Sequence, residues 1–213
     1  MKIYEELEQG TPEWHEVRQL KFTGSNATAI MANGKGLKTL VEDLITDYYS
    51  TDNYEEFSNK VSNKHTARGH EFENKARTIY KLETGNDVKQ VGFVELEEHI
   101  GVSPDGLVGD NGLLEIKSPA NKEFMRLALT GRIDSNHINQ MQMQMYVTGR
   151  EWCDYFAFNP NYEPCFIIKR VYADSQDFIK LAEGLRSGKQ QLKSMLEITD
   201  KLFTKQERST NEQ

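Results

Sequence analysis

Ser103-Pro104-Asp105-Gly106, followed by Leu114-Glu115-Ile116-Lys117 and preceded by Gly69-x-x-x-Glu73, decides how this chain is read. Reduced to its charged groups, the stretch is a Glu and then Asp-x9-Glu-x-Lys. Glu115 and Lys117 alternate along an expected strand over 112–117, so both side chains project from one face. Asp105 follows an expected strand over 100–103, in a Pro-Asp-Gly turn. If the two strands pair as a hairpin, Asp105 and Glu115 meet at one end of a sheet. Glu115 interrupts the apolar positions Leu113, Leu114 and Ile116. A carboxylate and an ammonium on such a strand are costly unless paired or metal-bound. Magnesium takes hard oxygen ligands and keeps several waters, so two or three carboxylates are enough for a site.

The rest of the composition is compatible with that chemistry. The chain has 213 residues, 37% apolar and 28% charged, enough for one domain with a full core. The domain is expected over 1–200, with a polar tail over 201–213 that has little reason to order. No apolar run approaches the roughly 20 residues of a membrane span. The N-terminus, Met1-Lys2-Ile3-Tyr4-Glu5-Glu6, is too acidic for a signal peptide. Cys153 and Cys165 lie in expected strands with no Cys-x-x-Cys spacing, and read as reduced thiols of a cytoplasmic protein. The net charge of −7 argues against broad coating of nucleic acid, but leaves room for a local basic groove. None of the five histidines has a zinc-protease or zinc-finger spacing, and no Walker A, nucleophile-elbow or dinucleotide glycine pattern occurs.

Outward from the central stretch, periodicity predicts helices over 11–20, 27–31, 37–49, 65–84, 121–129, 136–148 and 175–198. Strands are expected over 88–96, 100–103, 112–117, 152–159 and 165–172, and 50–64 reads as a surface loop. This order favours an α/β domain of the α+β type, a central mixed sheet flanked by helices. Thr11-Pro12-Glu13 opens the first helix as N-cap, N1 proline and first-turn acid. The Thr23-Gly24-Ser25 turn offers hydroxyls and N–H groups at a helix start, and Arg18 offers a bidentate fork. Both suit an anion.

These pieces, in order, resemble the phage lambda exonuclease family, the YqaJ-like viral recombinases of the PD-(D/E)xK nuclease superfamily. The resemblance covers residues 14–172. It is carried by Trp14-His15-x-x-Arg18, Thr23-x-Ser25, Gly69-x-x-x-Glu73-Asn74-x-Ala76-Arg77, the two central pieces with Ser118-Pro119, and Gln140-x-Gln142-x-x-x-Tyr146-Val147-Thr148. It implies a restriction-endonuclease-like core. It implies Asp105, Glu115 and the Ile116 carbonyl as ligands of Mg²⁺, for which Mn²⁺ substitutes, in a site of one or two ions. Glu73 would complete that site through water, and Lys117 would be the catalytic lysine. Gln142 would orient the site or contact the DNA end. Tyr146 shares its helical face, while Gln140 points elsewhere and competes with Gln144. Arg18, Thr23 and Ser25 match a pocket for a terminal 5′ phosphate.

The resemblance further implies a phage- or prophage-encoded enzyme of the bacterial cytoplasm. It would digest one strand of duplex DNA from the 5′ end and leave 3′ overhangs for a single-strand annealing protein. Family members form trimeric rings. Rival expectations are an endonuclease or structure-specific nuclease on the same site, and a non-catalytic factor that binds DNA ends.

Overall fold

The computed structural model describes residues 1–50 and 64–203, with the backbone alone over 64–71. Gly69, His65, His70 and most of the expected 50–64 loop therefore lie outside the described side chains. The elements run β1 (Lys2–Tyr4), α1 (Pro12–Val17), a 3₁₀ turn (Gly24–Asn26), α2 (Ala27–Ala32), α3 (Lys35–Tyr49) and α4 (Lys64–Thr84). Then come β2 (Val88–Lys89), β3 (Phe93–Glu97), β4 (Ile100–Val102), β5 (Gly106–Val108) and β6 (Gly112–Lys117). The chain closes with α5 (Asn121–Thr130), α6 (Ser135–Thr148), β7 (Trp152–Phe158), β8 (Phe166–Tyr172) and α7 (Ser175–Thr199).

The described residues form two sheets rather than one. A five-stranded mixed sheet has the order β2-β5-β6-β7-β8, with β6 and β7 parallel and its other neighbours antiparallel. A smaller antiparallel sheet has the order β1-β3-β4. The expected strand over 88–96 is in fact two, one in each sheet, broken at Gln90–Gly92. Gly92 cannot carry a side chain there, because a Cβ would lie 2.0 Å from the Leu7 carbonyl oxygen. β1 and β5, three residues each, are too short for a periodic signal.

The hairpin expectation is half right. Asp105 does meet the strand of Glu115, but the strand over 100–102 belongs to the smaller sheet. The partner of β6 is β5, which begins after Asp105. Ser103-Pro104-Asp105 is therefore a crossing between sheets. Gly106 is the first residue of β5, and a Cβ on it would lie 2.2 Å from Val88 Cγ1, so close strand packing explains the glycine.

β6 is buried on both faces, and this is why its apolar residues run continuously. Leu114 and Ile116 pack with Ala76 and Tyr80 of α4 and Phe156 and Phe158 of β7. Leu113 packs on the other side with Met141, Met143 and Met145 of α6. By alternation Glu115 shares that second side, between the sheet and α6. α6 also touches β3 and β4, so it is wedged between the two sheets. Its ends are set locally: the Asp134 side chain accepts from Asn136 N–H at 2.9 Å, and Gly149 takes φ +68° past the C-terminus. α2, α3 and α7 form a helical layer beside it.

α1 stops at Val17, short of the expected Leu20. Leu20 adopts φ +54°, which turns the chain so that Phe22 N–H reaches the His99 carbonyl at 2.8 Å. Arg18 before that turn and Ser25 after it line one cavity, described below. Among the described residues, no helix is long and apolar enough to cross a membrane. Both cysteines are free thiols, Cys153 buried and Cys165 half-buried rather than fully enclosed.

Candidate active site

Backbone register builds the centre of the site. Gly106 pairs with Leu114, so Asp105 falls opposite Glu115. Asp105 Oδ2 accepts from Ile116 N–H at 2.6 Å, tying the crossing segment to β6. Glu115 is 1% exposed. One of its oxygens is ion-paired with Lys117 Nζ, and Oε2 accepts from Gln144 Nε2 at 2.7 Å. Lys117, one pleat on, has a partly exposed side chain that lines the cavity described below.

Electrostatics make this cluster hungry for positive charge. Burial, and then the Glu115 charge, push the Asp105 carboxyl well above the usual carboxylate range. Burial alone would lower Lys117, but Glu115 and Asp105 outweigh it and hold the ammonium above its ordinary value. Glu73 is ion-paired with Arg77, whose Nε also donates to the Asp105 carbonyl at 3.3 Å. Among the described residues no three acidic, histidine or cysteine side chains converge as a ready metal cage. The direct donor set is thus two carboxylates, and Ile116, whose carbonyl is the third expected donor, lines the same cavity. Hard oxygens, a charge surplus and room for water fit a small divalent cation that keeps part of its hydration shell. Glu73 fits only at one remove.

These groups share one cavity of about 460 Å³. Asp105, Glu115, Ile116, Lys117 and Glu73 line it, together with Arg18 and Ser25. The Arg18 guanidinium lies 4.0 Å from the Trp14 ring centroid and donates to Ser103 Oγ at 3.2 Å. Burial pulls it down to about 10, so it stays charged at neutral pH. Trp14 Nε1 donates to the same Ser103 oxygen at 3.0 Å. Ser25 is exposed toward the cavity. Thr23 is buried and does not line it. Its hydroxyl lies 3.1 Å from Ser25 Oγ and 2.8 Å from Asn26 Oδ1, so it braces the turn rather than facing a ligand.

The glutamine helix presents the face opposite to the one expected. Gln140 and Gln144 line the cavity, with His137 one turn earlier. Gln142 does not. Its Nε2 donates to the Tyr172 carbonyl at 2.8 Å, and its Oε1 accepts from Asp174 N–H at 3.0 Å, which fastens α6 to the β8–α7 junction. Tyr146 packs edge-on against Phe178, 5.4 Å between centroids. The reason is rotational. The 3₁₀ turn crosses α6 closely at Gly24, whose missing Cβ would lie 3.4 Å from Gln140 Cγ and 3.7 Å from Gln144 Cγ. That contact fixes which side of α6 faces the site. His137 lines the cavity with Nδ1 3.2 Å from Tyr155 Oη, and burial lowers its pKa. Sequence reasoning missed Ser103 as the shared acceptor of Arg18 and Trp14. Its only signal was its place two residues before Asp105.

Residues 13–151 match the YqaJ-like viral recombinase domain. The chain belongs to this family. Its YqaJ-like fold is shared with an alkaline exonuclease from Laribacter hongkongensis (LHK-Exo), at 29% identity and TM-score 0.76, over 90% of this chain and 100% of that one. LHK-Exo in complex with dAMP aligns at 30% identity with the same coverage and TM-score. A phage-related exonuclease from Haemophilus somnus 129PT matches over 86% of this chain and 98% of its own, with TM-score 0.63. At 14% identity that likeness speaks for fold alone. No curated protein matches the chain.

Proposed function

We propose that the protein is a Mg²⁺-dependent DNA exonuclease that digests one strand of a duplex from its 5′ end and leaves 3′ overhangs. The observation that carries this reading is the shared cavity: Asp105, Glu115 and Lys117 line it together with Arg18 and Ser25. The exonuclease activity and the dAMP ligand named for LHK-Exo support a nucleotide as what the cavity takes.

Asp105 and Glu115, with the Ile116 carbonyl, would hold the ion, and Mn²⁺ would substitute for Mg²⁺. When bound, such an ion lowers the pKa of water and stabilises charge on the attacking and leaving oxygens. Lys117, held charged by its acidic neighbours, donates to a phosphate oxygen and steadies charge as it develops. Arg18 and Ser25 hold the terminal 5′ phosphate, which fixes the next phosphodiester near the carboxylates. Positioning of this kind supplies much of the rate in phosphoryl chemistry.

A 5′-phosphorylated linear duplex and a closed circle of the same sequence test this directly. The linear DNA should be consumed with Mg²⁺ and the circle should survive. Cutting of the circle would convert the reading to an endonuclease, and no cutting of either to a DNA-end-binding factor. The proposal extends to a phage or prophage recombination system in a bacterial cytoplasm, with a single-strand annealing protein as partner and a trimeric ring as the assembly. Sedimentation velocity should return the mass of three chains, and a monomer would break that last part.

A further inference from the structure

Gln144 stands out among the polar groups buried in this molecule. It is 1% exposed on a helix whose neighbouring positions, Met141, Met143 and Met145, are fully buried apolar residues. Its Nε2 donates to Glu115 Oε2, while its Oε1 is buried without a hydrogen-bond partner beside the cavity that Gln144 lines. A buried amide with an unpaired oxygen is costly, and an apolar residue of the same shape would cost less. Packing therefore does not account for a glutamine here.

We infer that Gln144 is a positioning residue for the ion-binding carboxylate, and that its free Oε1 is an acceptor for a water carried by the bound cation. This rests on the metal-dependent reading proposed above. Glu115 is gripped at both oxygens, by Lys117 on one and Gln144 on the other. A carboxylate left to rotate would present the ion with either oxygen at several angles. Gln144 removes that freedom at the oxygen Lys117 does not hold. A hydrated Mg²⁺ has water protons to donate and needs acceptors for them. Gln144 Oε1 is such an acceptor, and it belongs to the same side chain that fixes the ligand. Groups that orient metal ligands in this way typically matter about 10- to 100-fold in affinity or activity.

The test is Gln144→Met, which keeps length and volume but removes donor and acceptor. Ca²⁺ serves as the probe ion in calorimetry on the whole protein without DNA. Ca²⁺ affinity should fall about tenfold or more, the Mg²⁺ needed for half-maximal digestion should rise in parallel, and kcat should drop with KM for DNA unchanged. The ion-free melting temperature should hold or rise, an outcome that a purely structural role would not give. Unchanged Ca²⁺ affinity in the folded variant overturns the inference. If the variant does not fold, a crystal structure of the wild-type protein with Ca²⁺ decides the matter. Gln144 should still donate to Glu115 there, and a Gln144 turned away from it overturns the inference. Wild-type protein that neither binds Ca²⁺ nor digests linear duplex would sink the underlying metal-nuclease reading instead.

Discussion

The two sheets contribute to the candidate site in different ways. In the five-stranded sheet the chemistry is fixed by backbone register: Gly106 opposite Leu114 puts Asp105 opposite Glu115, and Ile116 N–H bonds the Asp105 carboxylate. In the smaller sheet and α1 the contribution is fixed by side chains, with Arg18 stacked on Trp14 and both donating to Ser103. Ser103-Pro104-Asp105 joins the two, one end serving the arginine and the other the carboxylates. Register leaves a trace in the sequence as spacing. An assembly of side chains from distant segments leaves almost none.

The largest effects should come from the half fixed by register. Asp105→Ala or Lys117→Ala should slow digestion of linear duplex by at least about 10³-fold, the scale of losing a main electrostatic stabiliser. Binding of duplex ends, measured without Mg²⁺, should persist because Arg18 and Ser25 are untouched. Unchanged digestion in either variant would remove those residues from the chemistry.

The half held by side chains should respond more mildly. Arg18→Ala removes charge-assisted hydrogen bonds worth about 1.5–3 kcal/mol, which is roughly a tenfold or greater effect. The loss should fall on 5′-phosphorylated ends and spare 5′-hydroxyl ends. Equal losses on both would show that Arg18 supports the fold around Ser103 and not a phosphate.

The same division explains what was legible. The Asp-x9-Glu-x-Lys spacing located the carboxylates and the lysine, and periodicity located every described helix within a few residues. The split of 88–96 between sheets was hidden because β2 is two residues long. The glutamine helix misled for a different reason. In Gln140-Met141-Gln142-Met143-Gln144 polar and apolar residues alternate with period two inside a helix. Helical spacing pairs Gln140 with Gln144 but does not say which pair faces the site, and that is settled by where Gly24 crosses α6.

Gln142 turns that point into a measurement. Its amide satisfies the Tyr172 carbonyl and Asp174 N–H. Gln142→Ala should therefore destabilise the protein by about 1–3 kcal/mol, the cost of leaving such groups unsatisfied. Digestion per folded molecule should not change. A stable variant with reduced kcat would place Gln142 in the site and reverse the assignment of the two faces.

The smallest effect tests the charge surplus itself. Burial and Glu115 raise the Asp105 pKa in the ion-free fold, so the folded state holds that proton more tightly than the unfolded chain does. The resulting stabilisation is complete below the unfolded value of about 4, and is lost as pH rises through the folded value. At neutral pH the raised Asp105 pKa therefore works against the ion-free fold. Asp105→Asn does not titrate and keeps an oxygen to accept from Ile116 N–H. It should melt about 2–4 °C higher than wild type at pH 7, the equivalent of about 1 kcal/mol in a chain this long, and the gap should close toward pH 4. Ca²⁺ at about 100 times its Kd stabilises a protein that binds it by about 2.7 kcal/mol. With that ion present the order should invert, wild type melting above the variant. An order that ignores both pH and Ca²⁺ would mean that Asp105 and Glu115 are balanced by Lys117 alone and have no need of a cation.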